Sequence, residues 1–243
     1  MESDALSRVA GSRRQELDIN MQFDQFAGNY EQVLDRTVAA SGENSAYFAE
    51  YKARYLSRVL SPAFSGKALD FGCGVGLLSR FLNKCLPGLR VDGFDVSHDS
   101  ISRIDDNLKS QGHFTSTAAD LGDDYRLIVV ANVMHHILPR ERQQVVQELA
   151  ERLMPGGILA IFEHNSSNPV TRWVVNHCPF DEDAILLPAA EASAYLHHAK
   201  LRVMRRDYIV FMPRFLAWLR PLEPWLAWLP LGAQYAILAG KCA

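Results

Sequence analysis

The sequence predicts an α/β fold in which a parallel sheet is covered by helices on both faces. Two observations lead to this prediction. Short apolar strands alternate with amphipathic helices between residues 61 and 165, and a glycine-rich loop directly follows the first strand. The chain has 243 residues, of which 48% are hydrophobic, and a net charge of −3. This composition allows a large core and excludes a disordered or disulfide-scaffold protein.

The predicted elements follow from the spacing of apolar residues. Helices show apolar residues every three or four positions, whereas strands show short continuous apolar runs. Helices are predicted at residues 45–60, 77–86, 97–112, 139–153 and 190–200. Strands are predicted at residues 67–71, 89–96, 114–119, 126–132, 158–162, 202–211 and 234–239.

Local signals set the boundaries of these elements. Pro62 ends the first helix, because the residue before a proline avoids the helical conformation. Ser97 is a good N-cap for the helix that starts there, and Pro139 opens another helix. The strand at 126–132 is apolar without alternation, which is typical of a strand covered on both faces.

The glycine loop is the strongest functional signal. Its pattern, Asp70-x-Gly72-x-Gly74-x-Gly76, permits a tight turn and close approach of a ligand to the main chain. The next helix directs free N–H groups toward that ligand. A dinucleotide fingerprint has its third glycine one position later, where this chain has Leu77, so a nicotinamide cofactor is disfavoured.

An acid at the end of the second strand complements the loop. Asp95 lies 23 residues after Gly72, where a carboxylate accepts hydrogen bonds from both ribose hydroxyls. The alternative role for Asp95 is that of a turn residue or helix cap.

Three motifs in order resemble the class I S-adenosylmethionine (SAM) methyltransferases, most closely the bacterial small-molecule group. They are LDFGCGVG at 69–76, GFDVS at 93–97 and LMPGGIL at 153–159. The resemblance covers residues 23–241. It implies a Rossmann-like, seven-stranded, mostly parallel sheet whose last strand is antiparallel, and it implies SAM as cofactor and S-adenosylhomocysteine (SAH) as product.

The resemblance also implies which residues bind the cofactor. The first loop embraces the methionine part of SAM, Asp95 holds the ribose, and an acid after the third strand meets the adenine amine. The expected cofactor-binding residues are Tyr30, Asp70, Gly72, Cys73, Gly74, Gly76, Asp95, Val96, Asp120, Leu121, Asn132 and Val133. Three of these residues have an alternative role. Asp70 orders the loop, Asp120 is a polar loop residue, or Tyr30 is an aromatic residue of the core.

Candidate bases follow the fourth and fifth strands. Methyl transfer from a sulfonium needs a base only when the acceptor must lose a proton, and histidine titrates near neutral pH. His135 is the leading candidate, followed by His136, Glu163 and His164. The alternative for His136 is a buried structural histidine.

The remaining residue patterns limit the partners and the compartment. The chain lacks the [DNS]-P-P-[FYW] motif of the family's amino-methylating nucleic-acid enzymes after the fourth strand, so no nucleic acid is expected. The acid pairs Asp105-Asp106 and Asp123-Asp124 lack ligand partners at metal spacing, so no metal is expected. Four scattered cysteines and the absence of a signal or a transmembrane segment predict a cytoplasmic protein.

The predicted organisation is a flexible tail at 1–20 and a single domain at 21–243. The domain divides into a helical cap at 21–60, a SAM-binding core at 61–165, a lid segment at 166–192, and a last helix and strands at 193–243.

Residues 212–230, here called the Trp-rich segment, lie between the last two predicted strands. Three of the four tryptophans of the chain, Trp218, Trp225 and Trp228, lie in this segment. The Trp-rich segment has four alternative roles: packing on the core, a dimer seam, a pocket wall or a membrane-surface contact. A homodimer therefore stays open.

The predicted function is methyl transfer from SAM to a small-molecule acceptor. Oxygen is preferred as the methylated atom, with nitrogen and carbon open, and the apolar lid segments favour an aromatic or lipophilic metabolite. The rivals are a non-catalytic SAM-binding protein, a nicotinamide-dependent oxidoreductase, and a methyltransferase that acts on a lipid-linked substrate at the membrane surface.

Overall fold

The computed structural model describes residues 42–178 and 184–242. The predicted tail, residues 21–41 of the predicted cap with Tyr30, and residues 179–183 of the predicted lid lie outside this part of the chain.

Strands and helices alternate along the described chain, largely as the apolar spacing predicts. The strands are β1 (Gly66–Phe71), β2 (Leu89–Phe94), β3 (Phe114–Thr115), β4 (Tyr125–Ala131), β5 (Leu153–His164), β6 (Leu201–Ile209) and β7 (Gln234–Lys241). The helices are α1 (Ser45–Val59), α2 (Leu77–Cys85), α3 (His98–Ser102), α4 (Asp106–Gln111), α5 (Pro139–Arg152), α6 (Pro169–Asn176), α7 (Ala189–His198) and α8 (Glu223–Leu226).

The seven strands form one sheet in the order β3-β2-β1-β4-β5-β7-β6. The first five strands pair in parallel, and β7 pairs antiparallel with both β5 and β6. The predicted fold class is therefore confirmed. The strand order reverses between β1 and β4, and ligands of open α/β sheets bind at such a point, beyond the carboxyl ends of the strands.

Two apolar layers cover the sheet. Side chains of α5 and α7 pack on one face, and side chains of α1 and α2 pack on the other. In β4, Ile128 and Val130 point into the first layer while Leu127 and Val129 point into the second, and all four are fully buried. This double burial explains why β4 is apolar without alternation.

Some elements differ from the prediction. The helix predicted at 97–112 is two helices, because the Asp105 side chain accepts a hydrogen bond from the Asn107 amide (2.8 Å) and starts a new one. The predicted cap at Ser97 is present, since its hydroxyl accepts a hydrogen bond from the Ser100 amide (3.1 Å). Strand β5 begins at Leu153, with a register shift against β4 that allows pairing through the predicted turn.

The Trp-rich segment does not pack its aromatic rings into the described core. It forms a 3₁₀ helix (Arg214–Leu222) interrupted near Leu216, followed by the single turn of α8. Trp218, Trp225 and Trp228 are each at least 75% exposed. Within residues 42–178 and 184–242, every helix is too short or too polar to span a membrane.

Candidate active site

The glycine loop after β1 has a backbone that only glycine adopts easily. The φ angles of Gly72, Gly74 and Gly76 are 77°, 52° and 78°, all in the left-handed region. A Cβ atom on Gly72 would lie 2.3 Å from a methyl carbon of Val133, which follows β4. The loop therefore packs tightly against the end of β4, and a side chain at Gly72 would separate the two.

The helix after this loop begins without a side-chain cap. Gly76 is the N-cap residue of α2, and its conformation is left-handed. A helix N-terminus without a capping side chain leaves amide N–H groups for a ligand or for water. The amides of the loop itself already donate within the protein, at Gly72, Cys73, Gly74 and Gly76. The donors left for a ligand are therefore those at the very start of α2.

Asp95 joins the glycine loop to the beginning of α3. One carboxylate oxygen accepts a hydrogen bond from the Gly74 amide (2.7 Å), and the other accepts one from the Ser97 amide (2.9 Å). The neighbouring Val96 is 42% exposed. The end of β2 therefore presents a carboxylate beside an uncovered apolar side chain, and this pair matches the ribose and base of a nucleoside.

Asn132, at the end of β4, carries an unsatisfied polar atom. Its backbone is left-handed (φ 58°), and its amide donates to the Phe162 carbonyl (2.8 Å). Its side-chain oxygen is buried and has no hydrogen-bond partner within the described residues. Because a buried acceptor without a partner is costly, this oxygen fits a ligand that brings a donor, such as an ammonium group.

Two buried charged groups lie at the same edge of the sheet. Asp70 is 1% exposed and accepts a hydrogen bond from the Ser79 hydroxyl (2.6 Å), and burial raises its pKa to about 6. Lys52 of α1 is 4% exposed, and burial lowers its pKa to about 8 although Glu163 and Asp70 favour its charged form. A cation thus faces two carboxyl groups near the cleft.

Lys52 was not predicted as a site residue. A lysine within an amphipathic helix usually lies on the solvent face. Its spacing was nevertheless a signal, because Lys52 lies four residues after Phe48 and four before Leu56, on the apolar stripe of α1.

Glu163 is the centre of the predicted catalytic group. It is fully buried, and one carboxylate oxygen accepts hydrogen bonds from the amides of Val133 (3.0 Å) and Met134 (2.7 Å). The other oxygen lies 2.5 Å from Nδ1 of His135. Burial alone would raise the pKa of Glu163, but the charges of His135 and His164 and the Met134 amide hold it below its ordinary value. Glu163 is therefore an ionised anchor for the chain after β4.

The three histidines of the predicted group lie together. The ring of His135 is 4.1 Å from the ring of His136 and 5.1 Å from the ring of His164, measured between centroids. His135 is 2% exposed, whereas His136 and His164 are half-buried. This reverses the expected exposures of His135 and His136: His135 is the buried partner of Glu163.

The end of the predicted lid is tied to this group. The Ile185 amide donates to the His135 carbonyl (2.9 Å), and the Tyr235 hydroxyl donates to the Leu187 carbonyl (2.8 Å). The Arg142 guanidinium is 1% exposed and donates to the carbonyls of Ile137 (2.9 Å) and Ile185. Residues 184–187 are thus held over the end of β4.

The remaining predicted cofactor residues have different surroundings. Asp120 is exposed in the 3₁₀ helix Ala118–Asp120 and accepts a hydrogen bond from the Thr115 hydroxyl (3.2 Å). Leu121 is buried in the apolar layer of α5. Cys73 is also buried, and burial raises the pKa of its thiol, so the thiol stays neutral.

Known proteins share both the core sequence and the fold. Residues 69–159 match the family model described as a methyltransferase domain. The methyltransferase GfsG of Streptomyces halstedii is 33% identical over 105 residues, which cover 39% of this chain and 36% of that protein. The ribosomal RNA small subunit methyltransferase C of Vibrio vulnificus is 32% identical over 73 residues, which cover 28% and 22%. The chain thus spans well under two thirds of the length of these curated relatives.

A solved structure of a SAM-dependent methyltransferase from Thermotoga maritima has the same fold. It superposes with a TM-score of 0.66 at 17% identity and covers 92% of this chain and 99% of that one. These matches confirm the methyltransferase resemblance and support SAM as the cofactor.

Proposed function

From the premise that the chain carries a class I SAM-dependent methyltransferase domain, we propose that it transfers the methyl group of SAM to a small-molecule acceptor. The acceptor class that we favour is an aromatic or lipophilic metabolite, methylated on oxygen. The observation behind this proposal is the Glu163–His135 pair, which holds the chain after β4 and lies beside the half-buried His136 and His164.

The described residues fit SAM. The left-handed glycine loop leads directly into the first amides of α2, and Asp95 offers its carboxylate to a ribose. The unpartnered oxygen of Asn132 suits the ammonium group of an amino acid. SAM supplies a methyl group that its sulfonium charge has already activated.

We assign Lys52 to the carboxylate of the methionine part of SAM. Burial disfavours the charged form of Lys52, and only the charges of Glu163 and Asp70 are seen to offset this cost. Helix α1 packs on the sheet face to which Asp70 projects, beside the glycine loop. A carboxylate bound there would further offset the desolvation of Lys52.

The protein supplies orientation and a proton acceptor. Glu163 fixes the backbone after β4, so its hydrogen bonds to Val133 and Met134 position one wall of the cleft. His136 and His164 are more exposed than His135, and we assign the role of base for a hydroxyl acceptor to one of them. His135 is a positioning residue.

Calorimetry of the full chain with SAM and SAH tests the cofactor half of the proposal. We expect both to bind, and absence of heat at millimolar SAM contradicts the proposal. Transfer of a labelled methyl group to a panel of phenols and lipophilic alcohols tests the other half.

Histidine variants test the base. One of His136→Asn and His164→Asn should lower kcat by about 10²–10⁴-fold without a change in SAH affinity. His197→Asn, on the exposed face of α7, is the control. If SAH binds tightly but no acceptor is methylated, a non-catalytic SAM-binding protein is the better description.

A further inference from the structure

The Trp-rich segment presents an exposed aromatic surface. Phe215, Trp218, Trp225 and Trp228, here called the aromatic surface, are 75–79% exposed. Trp225 lies on α8, and Trp228 follows the end of that helix at Leu226. Large exposed aromatic side chains that cluster in one segment are typical of an interaction site.

The charges around this surface are unbalanced. Residues 200–233 contain six basic side chains and two acidic ones, which gives a local charge of +4 in a chain whose net charge is −3. Both acids are buried: Asp207 accepts a hydrogen bond from the Tyr55 hydroxyl (2.9 Å), and Glu223 accepts one from the Tyr51 hydroxyl (2.7 Å). Arg205 pairs with Asp207, and Arg220 pairs with Glu43 (2.6 Å). The positive charge that this region presents to a partner therefore comes from the other four basic side chains, which are exposed: Lys200, Arg202, Arg206 and Arg214.

A cavity of about 180 Å³ lies between α1, β6 and α8, beside Trp225. Its lining includes Arg58, the ion pair of Arg205 with Asp207 (2.5 Å), Glu223, and Pro224 and Ala227. The Arg58 side chain is exposed at the rim of this cavity. Arginine binds phosphate through its planar guanidinium, and tryptophan favours the depth of the lipid headgroups because its ring is apolar and its N–H is polar.

We propose that the aromatic surface binds the interface of an anionic phospholipid bilayer, with Arg58 and the exposed basic side chains of residues 200–214 attracting the headgroup phosphates. The positive local charge complements an anionic leaflet, and the uncovered tryptophans supply the apolar contact that charge alone lacks. The proposal is independent of methyl transfer, because neither SAM nor an acceptor is needed for vesicle binding.

Vesicle flotation of the full chain tests the proposal. We expect binding to vesicles of phosphatidylcholine containing one third phosphatidylglycerol and much weaker binding to phosphatidylcholine alone. High salt should weaken the binding, since the headgroup contribution is electrostatic. No binding to either vesicle overturns the proposal.

Paired variants separate the aromatic and the basic contributions. Trp225→Ala combined with Trp228→Ala should weaken binding at least about tenfold, whereas Trp173→Ala, whose exposed side chain lies on α6 outside the aromatic surface, should not. Arg58→Glu should weaken binding to anionic vesicles, whereas Arg54→Glu, four residues earlier on α1, is the control. Equal effects of Arg58→Glu and Arg54→Glu overturn the assignment of Arg58.

Two further measurements complete the test. Thermal unfolding checks that the variants fold, which we expect because the replaced side chains are largely exposed. Light scattering measures self-association: a dimer that forms without lipid and is lost in the double tryptophan variant, together with no vesicle binding, would assign the surface to a second copy of the chain and overturn the lipid proposal.

Discussion

Lys52 and Asp70 are two buried ionisable residues near the glycine loop. Both are almost completely buried, and burial disfavours the charged form of each: the pKa of Lys52 falls to about 8 and that of Asp70 rises to about 6. Burying the charged form of a group costs free energy of folding, and groups whose pKa values are shifted in this way are concentrated at functional sites. We therefore expect that replacing Lys52 changes ligand affinity, and that replacing Asp70 changes how stability depends on pH.

Lys52→Met should weaken SAH binding at least about tenfold, because a buried carboxylate loses its cationic partner. Binding of methylthioadenosine, which lacks the amino-acid part, should not change. Calorimetry with both ligands measures the difference, and Lys67→Met, whose side chain pairs with Asp124 at an exposed site, is the control. An equal loss for both ligands would show that Lys52 acts on the fold and not on the carboxylate. No SAH binding by the native chain would instead contradict the proposed function itself.

Asp70 should make the protein less stable as the pH rises. Its folded pKa of about 6 lies above its ordinary value of 3.8, so the folded state holds the proton more tightly. The stabilisation is present below pH 4 and is lost as the pH rises to 6, by roughly 3 kcal/mol. Urea unfolding across this range should show the loss in the native chain and not in Asp70→Asn. Asp123→Asn, at an exposed carboxylate, should retain it.

At the scale of the element, the glycine loop couples β1 to the end of β4. The loop has no room for a side chain at Gly72 because the Val133 side chain occupies the space. The backbone amide of Val133 in turn donates a hydrogen bond to Glu163. The loop after β1 and the chain after β4 and β5 therefore form one unit. A change at the loop should disturb the histidines as well as the cofactor cradle.

Gly72→Ala should destabilise the fold and abolish tight SAH binding. Its φ of 77° costs an alanine about 1–2 kcal/mol, and the 2.3 Å approach to Val133 adds a clash. Gly122→Ala is the matched control, because its Cβ would meet the nearest atom at an ordinary 3.7 Å. Urea unfolding and calorimetry on both variants test this. Unchanged SAH affinity in Gly72→Ala would exclude the loop as the cofactor cradle.

At the scale of the whole molecule, the strand order brings distant residues to one cleft. The ends of β1 and β2 carry Asp70 and Asp95, while the ends of β4 and β5 carry Asn132 and Glu163. The two groups meet where the order reverses between β1 and β4. A ligand bound there contacts both halves of the sheet, so its binding should stabilise the entire fold.

SAH should raise the free energy of unfolding by about 2.7 kcal/mol when its concentration is one hundred times its Kd. Thermal unfolding with increasing SAH measures the shift, and Asp95→Ala should displace the curve to higher SAH. NADH is the control ligand. A shift with NADH and none with SAH would favour the oxidoreductase alternative over methyl transfer.

The sequence alone determined most helices and strands, the position of the glycine loop and the class of cofactor. Apolar spacing depends on local geometry, so α1, α5 and β4 were predictable, and the left-handed glycines after β1 follow from the residue type. The three motifs then indicated a methyltransferase, which the match over residues 69–159 supports.

Only the tertiary structure decided which side chains are buried and which meet. His135 and His136 are adjacent in sequence, yet His135 is almost completely buried against Glu163 while His136 is half-buried, because the Glu163 contact requires β4 and β5 to pair in one particular register. Lys52 is buried because α1 packs on the sheet. The tryptophans are exposed because the Trp-rich segment contacts α1 and β6 through Glu223 and Ala227 and not through its indole rings. Burial and contact depend on packing between residues far apart in the chain, and local sequence patterns do not encode that packing.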